Sequence, residues 1–129
     1  MKYINIDSSR HDEMIDISHE IQRQIVAADF KDGLVLVYCP HSTAGLTINE
    51  GIDPAVRADL IDCLAALVPW DKIYGHAEGN SPAHVKASLM GSSVSVPVED
   101  GRLALGQWQR VFFCEFDGPR PRQIYLKFI

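Results

Sequence analysis

The chain has 129 residues, 47% of them apolar and 22% charged, with a formal charge of −5. That length suits one domain, residues 1–129, able to bury a core without staples. The acidic balance and the lack of any Lys/Arg run exclude nucleic acid as the main partner, and no apolar run approaches membrane-spanning length.

The N-terminus, Met1 to Asp7, has no signal-peptide core. Cys39, Cys63 and Cys114 are odd in number and scattered, which rules out a complete disulfide framework and any CxxC motif. All three thiols are expected to pack, in a reducing cytoplasm.

Two short apolar alternations open the chain. Tyr3, Ile4 and Ile6 form the first; in Met14 to Ile17, Met14 and Asp16 share one face and Ile15 and Ile17 the other. Ser18 is the expected N-cap of a helix reaching about Ala28, with Ile21, Ile25 and Ala28 on one face. Leu34 to Cys39 is apolar throughout and reads as a central strand buried on both faces. Pro40 to Gly45 is a polar loop, and Leu46 to Ile48 resumes as strand.

Asp53-Pro54 predicts a capped helix with Val56, Leu60, Leu64 and Leu67 as its apolar stripe. Next comes His76-Ala-Glu-Gly-Asn-Ser-Pro-Ala-His84, where Ser81 is the expected N-cap, Pro82 the first helical residue and Gly91 the stop. Val94 to Val98, Leu103 to Leu105, Trp108 to Phe116 and Gln123 to Ile129 read as strands. About three helices and seven or eight strands, the last ones consecutive and antiparallel, make an α+β domain.

No phosphate-binding glycine loop, HExxH or Gly-x-Ser-x-Gly elbow is present. His41, His76 and His84 stand in loop or helix-start positions, and three imidazoles with one open position are a recurrent zinc arrangement. The competing reading is a polar turn that only caps a helix. Glu78 is a candidate base or ligand; Ser42, Thr43 and Asn80 could bind a substrate, and Arg120 and Arg122 could hold phosphate. Each also has an ordinary role, in turns or surface ion pairs. Glu50 is a further acid–base candidate, Asp53 is accounted for as a cap, and His11 and His19 read as solvated, His19 alternatively as part of a helix start.

Pro40-His-Ser-Thr-Ala-Gly-Leu-Thr-Ile-Asn-Glu50, the 76–84 stretch, Gly91-Ser-Ser93, Leu105-Gly-Gln-Trp-Gln109 and Glu115-Phe-Asp-Gly-Pro-Arg120 together resemble the YjbQ-like family, also labelled the secondary thiamine-phosphate synthase family. Gln107 departs from the small hydroxyl residue expected before the Trp-Gln pair. The resemblance implies a mixed, largely antiparallel sheet curled on itself, a homotrimer, and a pocket shared by His41, His76, Glu78, Asn80 and His84. It implies the joining of a pyrimidine diphosphate to a thiazole phosphate with release of pyrophosphate. In that setting Glu78 and His84 are the expected catalytic groups, and Ser42, Thr43, Asn80 and Arg120 the substrate contacts. His41, His76 and His84 are the expected ligands of a divalent metal, zinc first, with magnesium an option for a diphosphate. The alternatives are a metal-dependent hydrolase of a small phosphorylated metabolite and a non-catalytic binding protein for one.

Overall fold

The computed structural model describes residues 1–77 and 79–129. Its elements are β1 (Lys2–Asp7), β2 (Glu13–Asp16), α1 (Ser18–Ala27), β3 (Gly33–Tyr38), β4 (Ala44–Glu50), α2 (Pro54–Leu67), α3 (Ser81–Met90), β5 (Ser93–Glu99), β6 (Arg102–Leu103), β7 (Gln109–Glu115) and β8 (Pro121–Phe128). The fold is α+β, as expected. Five strands form a curled sheet in the order β1-β8-β3-β5-β6, and three form a smaller one in the order β2-β7-β4. Every recorded strand pair among the described residues is antiparallel.

The two sheets face each other across the main core. β3 contributes Val35 and Val37, β8 contributes Ile124 and Leu126, and β7 contributes Val111 and Phe113. Helix α1 closes this core with Ile21 and Ile25, both fully buried. It is also tied to both sheets: the Val111 N–H donates to Ser18 Oγ at 2.8 Å, while Gln22 Nε2 donates to Gly101 O at 2.7 Å and Gln22 Oε1 accepts from Leu103 N–H at 3.0 Å. The other face of the smaller sheet buries Met14, Phe112, Cys114 and Phe116 under Leu64 of α2 and Ala83 and Ala87 of α3. Met14 and Ile15 thus serve opposite faces, as their alternation predicts.

Several sequence expectations need correction. Burial on both faces belongs to β7, where Val111 to Glu115 are all buried, and not to β3, where only Val35 and Val37 are. The outer face of β3 carries half-buried Leu36 and Tyr38, which is 42% exposed. The consecutive strands β7 and β8 do not pair; the turn between them carries the chain from one sheet to the other. Ser18 is the first residue of α1 and no cap; Asp16 Oδ1 accepts its N–H at 2.9 Å. Asn80, not Ser81, holds the N-cap position of α3, and its side chain makes no cap bond. Asp53 caps α2 as predicted, accepting the Ala55 N–H at 2.9 Å, a contact of the kind that contributes about 1 kcal/mol. On that helix only Leu64 is buried; Leu67 is 69% exposed. Ala28 is exposed, as is Cys63.

Candidate functional site

A cleft of about 320 Å³ separates the loop after β3 from the flank of α3, lined by His41, Ser42, Ala44, His84, Ala87, Ser88, Gly91 and Ser92. Two glycines let its walls approach. A Cβ on Gly45 would come within 2.8 Å of Gly91 O, and Gly91 ends α3 with φ +94, a conformation that L side chains rarely adopt.

His41 is held by the sheet itself. Tyr38 is opposite Tyr125, so continuing the register sets Pro40 against Gln123, and proline has no N–H for that rung. The His41 ring fills the gap: Nε2 lies 3.0 Å from both the nitrogen and the carbonyl oxygen of Gln123. Bare, Nε2 accepts the Gln123 N–H; protonated, it donates to the carbonyl. Burial, and then the nearby Arg122 charge, lower the His41 pKa below the usual imidazole range.

His84 sits one turn into α3 on the cleft side, and His76 meets its ring edge to face at 5.4 Å between centroids. The structure therefore brings His41, Ser42 and His84 to one cleft and sets His76 against His84. It does not form the expected three-histidine metal set. Among the described residues no group of three or more His, Cys, Asp or Glu is arranged to hold an ion, and Nε2 of His41 is committed to the β8 backbone. Glu78 lies outside the described residues.

The remaining substrate contacts are placed elsewhere. Thr43 is buried, and its Oγ1 accepts from Arg122 Nη2 at 2.8 Å. Asn80 Nδ2 donates to Asp117 Oδ2 at 3.0 Å, and Arg120 Nη2 donates to the same oxygen at 2.9 Å. Arg120 is thus already neutralised. Arg122 is buried with Glu115 rather than free for phosphate. Glu50 accepts the N–H groups of Ile52 and Asp53, both at 2.9 Å, so it shapes the turn before α2.

Sequence reasoning missed a chain of charges beside this region. Lys86, 1% exposed, donates to Asp12 Oδ2 at 2.8 Å and lies over the Phe116 ring. His11 bonds Asp12 through Nδ1, has Asp117 3.6 Å from Nε2, and meets Trp70 edge-on; it is not simply solvated. One signal was available: Lys86 shares the apolar stripe of Ala83, Ala87 and Met90, where an unpaired lysine would be costly. Cys39 and Cys114 are buried, and desolvation pushes the Cys114 thiol up to about 12.

These features define a small α+β domain with a histidine-lined cleft between a strand-end loop and a helix. The family model described as UPF0047 protein YjbQ-like matches residues 2–129. The chain belongs to that family. It is 46% identical over 128 residues to the UPF0047 protein YugU of Bacillus subtilis, covering 98% of this chain and 97% of the relative. A UPF0047 protein of Methanocaldococcus jannaschii is 46% identical over 124 residues, covering 96% and 90% of the two chains. Among solved structures, a YjbQ/UPF0047 protein of Clostridium acetobutylicum superposes with a TM-score of 0.97 at 44% identity, with both chains fully covered. A conserved hypothetical protein of Thermus thermophilus gives 0.92 at 38% identity, also over both whole chains.

Proposed function

We propose that the cleft is an active site for a small phosphorylated molecule, with His84 as its acid–base group and His76 beside it. The observation that carries this reading is that His41 and His84, far apart in sequence, line one cleft with the hydroxyls of Ser42, Ser88 and Ser92. Its volume is at the small end of metabolite sites. An imidazole held there can protonate a leaving oxygen, a role that contributes about 10²–10⁴-fold in rate. Glu78 is proposed as the accompanying carboxylate on sequence grounds alone.

Hydrolysis of one phosphorylated metabolite fits a cleft of this size better than the joining of two substrates. Joining a pyrimidine diphosphate to a thiazole phosphate is the second reading, supported by family membership across residues 2–129. A divalent ion, zinc or magnesium, is proposed as cofactor, with His76 and His84 as the pair to hold it; with the ion bound, His84 is a ligand and the acid–base role passes to Glu78. The reducing cytoplasm is the proposed compartment, in keeping with three free cysteines; no helix among the described residues is long and apolar enough to cross a membrane.

Self-association as a homotrimer is proposed through the outer face of the larger sheet. Met1, Tyr3, Leu36, Tyr38 and Tyr125 make an apolar patch there, flanked by Lys127, with the Tyr125 ring packed between Tyr3 and Tyr38 at 5.2 and 6.1 Å.

Phosphate and pyrophosphate release from a panel of small phosphorylated compounds, both thiamine precursors included, tests the catalytic reading. Turnover that survives in both His84→Ala and His41→Ala would falsify it.

A further inference from the structure

We propose that Glu115 and Arg122 are positioning residues for the cleft. Together they clamp the His41–Thr43 loop, so that the His41 ring is fixed on β8 through Nε2 and Nδ1 is left for a ligand. The proposal rests on the cleft being the functional site.

The clamp is built from four distant segments. Arg122 Nε donates to Glu115 Oε1 at 2.8 Å, and Arg122 Nη2 donates to Glu115 Oε2. The same Nη2 reaches Thr43 Oγ1 at 2.8 Å and Thr43 O at 3.3 Å. Glu115 is completed by Ser8 Oγ at 2.7 Å and by the N–H groups of Phe116 and Asp117, both at 3.1 Å. The carboxylate is fully buried and fully bonded.

Neighbouring positions of β8 therefore grip neighbouring parts of the loop. Arg122 holds Thr43 with its side chain, while Gln123 holds His41 with its backbone. A buried ion pair adds little net stability over well-packed apolar residues of the same volume. Its geometry supplies something an apolar pair cannot: directed bonds to a loop carbonyl and hydroxyl. The guanidinium charge also acts on His41, and with burial it disfavours the imidazolium. Only a neutral ring that donates through Nε2 to the Gln123 carbonyl leaves Nδ1 bare, able to accept from a substrate or take its proton.

The test follows His41 itself, by NMR of protein carrying ¹⁵N-labelled histidine. In the double variant Glu115→Gln/Arg122→Met, which removes both charges, the His41 titration moves up toward the ordinary imidazole range. In Thr43→Val, which spares the ion pair, exchange of the amides that the loop holds, Gln123 on His41 Nε2 and Phe116 on Thr43 O, accelerates about tenfold, the factor expected for one lost charged hydrogen bond. Folded variants whose His41 titration, Nε2 shift and loop exchange all match the parent would overturn the clamp. If the double variant does not fold, Thr43→Val decides alone, and parental loop exchange there overturns the proposal. None of these readouts needs turnover, so the clamp and the catalytic reading of His84 fail separately.

Discussion

His76 and His84 meet edge to face, with ring planes at 88°. His84 thus has one neighbour in the loop before α3 and the cleft on its other side. The contact couples the placement of that loop to the side chain proposed to move protons.

Replacing the acid–base group should remove catalysis and leave the fold. His84→Ala is expected to lower turnover by about 10²–10⁴-fold with an unchanged circular dichroism spectrum. His76→Ala should have a smaller effect. Equal losses in both variants would argue that the two rings act as one unit.

Metal content follows from the same pair. Protein purified without a histidine tag should carry a divalent ion measurable by elemental analysis, and His76→Ala should lose it. Should His41→Ala lose the ion as readily, His41 joins the pair through Nδ1 while Nε2 stays on Gln123. A parental metal content in His76→Ala and His84→Ala would remove this pair as its holder.

The buried lysine is a stability determinant. Lys86→Ala leaves Asp12 without its cation and opens a void under α3. Asp12 keeps some contact with water, so the expected cost falls at the lower end of the roughly 3–5 kcal/mol seen when buried pairs are broken. Urea unfolding measures it. Lys86→Met, which keeps the stem packing on Phe116, should cost less.

Acidification should destabilise the fold in two windows. Burial alone would raise the Glu115 pKa, but hydrogen bonds from Arg122, Ser8 and the Asp117 N–H, with the Arg122 charge, lower it. The unfolded chain therefore binds the proton first as pH falls, and this stability, present above the unfolded carboxylate pKa, is lost through the folded one. His41 is a base with a lowered folded pKa, so its contribution is complete above the unfolded value near 6.5 and declines below it. Stability measured from pH 7 to 3 should fall in both windows. Glu115→Gln should abolish the lower step, and His41→Ala the upper one.

Assembly is testable at the outer sheet face. Tyr38→Glu sets a charge beside the Tyr125 ring, and light scattering should then return the monomer mass in place of a trimer's. A monomeric parent at micromolar concentration would dispose of this interface.

The elements were largely legible from the sequence because their signals are local: the Asp53-Pro54 start, the Gly91 stop and the alternation of Met14 to Ile17 each name their own neighbours. What escaped depends on partners distant in sequence. Nothing near Arg122 announces Glu115 or Thr43, and nothing near Pro40 reveals that a histidine ring would complete its rung. The apolar run of Leu34 to Cys39 misled because composition cannot say whether a second face is covered. Arg120 and Asn80 were reasonable substrate contacts by type, but Asp117 draws both away from the cleft.

Helix α1 behaves as a rivet through two plates. Its bonds to Val111 on one sheet and to Gly101 and Leu103 on the other mean that neither sheet can peel away without freeing the same ten-residue segment. The molecule should then open as one cooperative unit, with the slowest-exchanging amides of β3 and β7 reporting a single free energy. Heat or denaturant would dismantle both walls of the main core together, leaving no half-folded stage in which the smaller sheet outlasts the larger one.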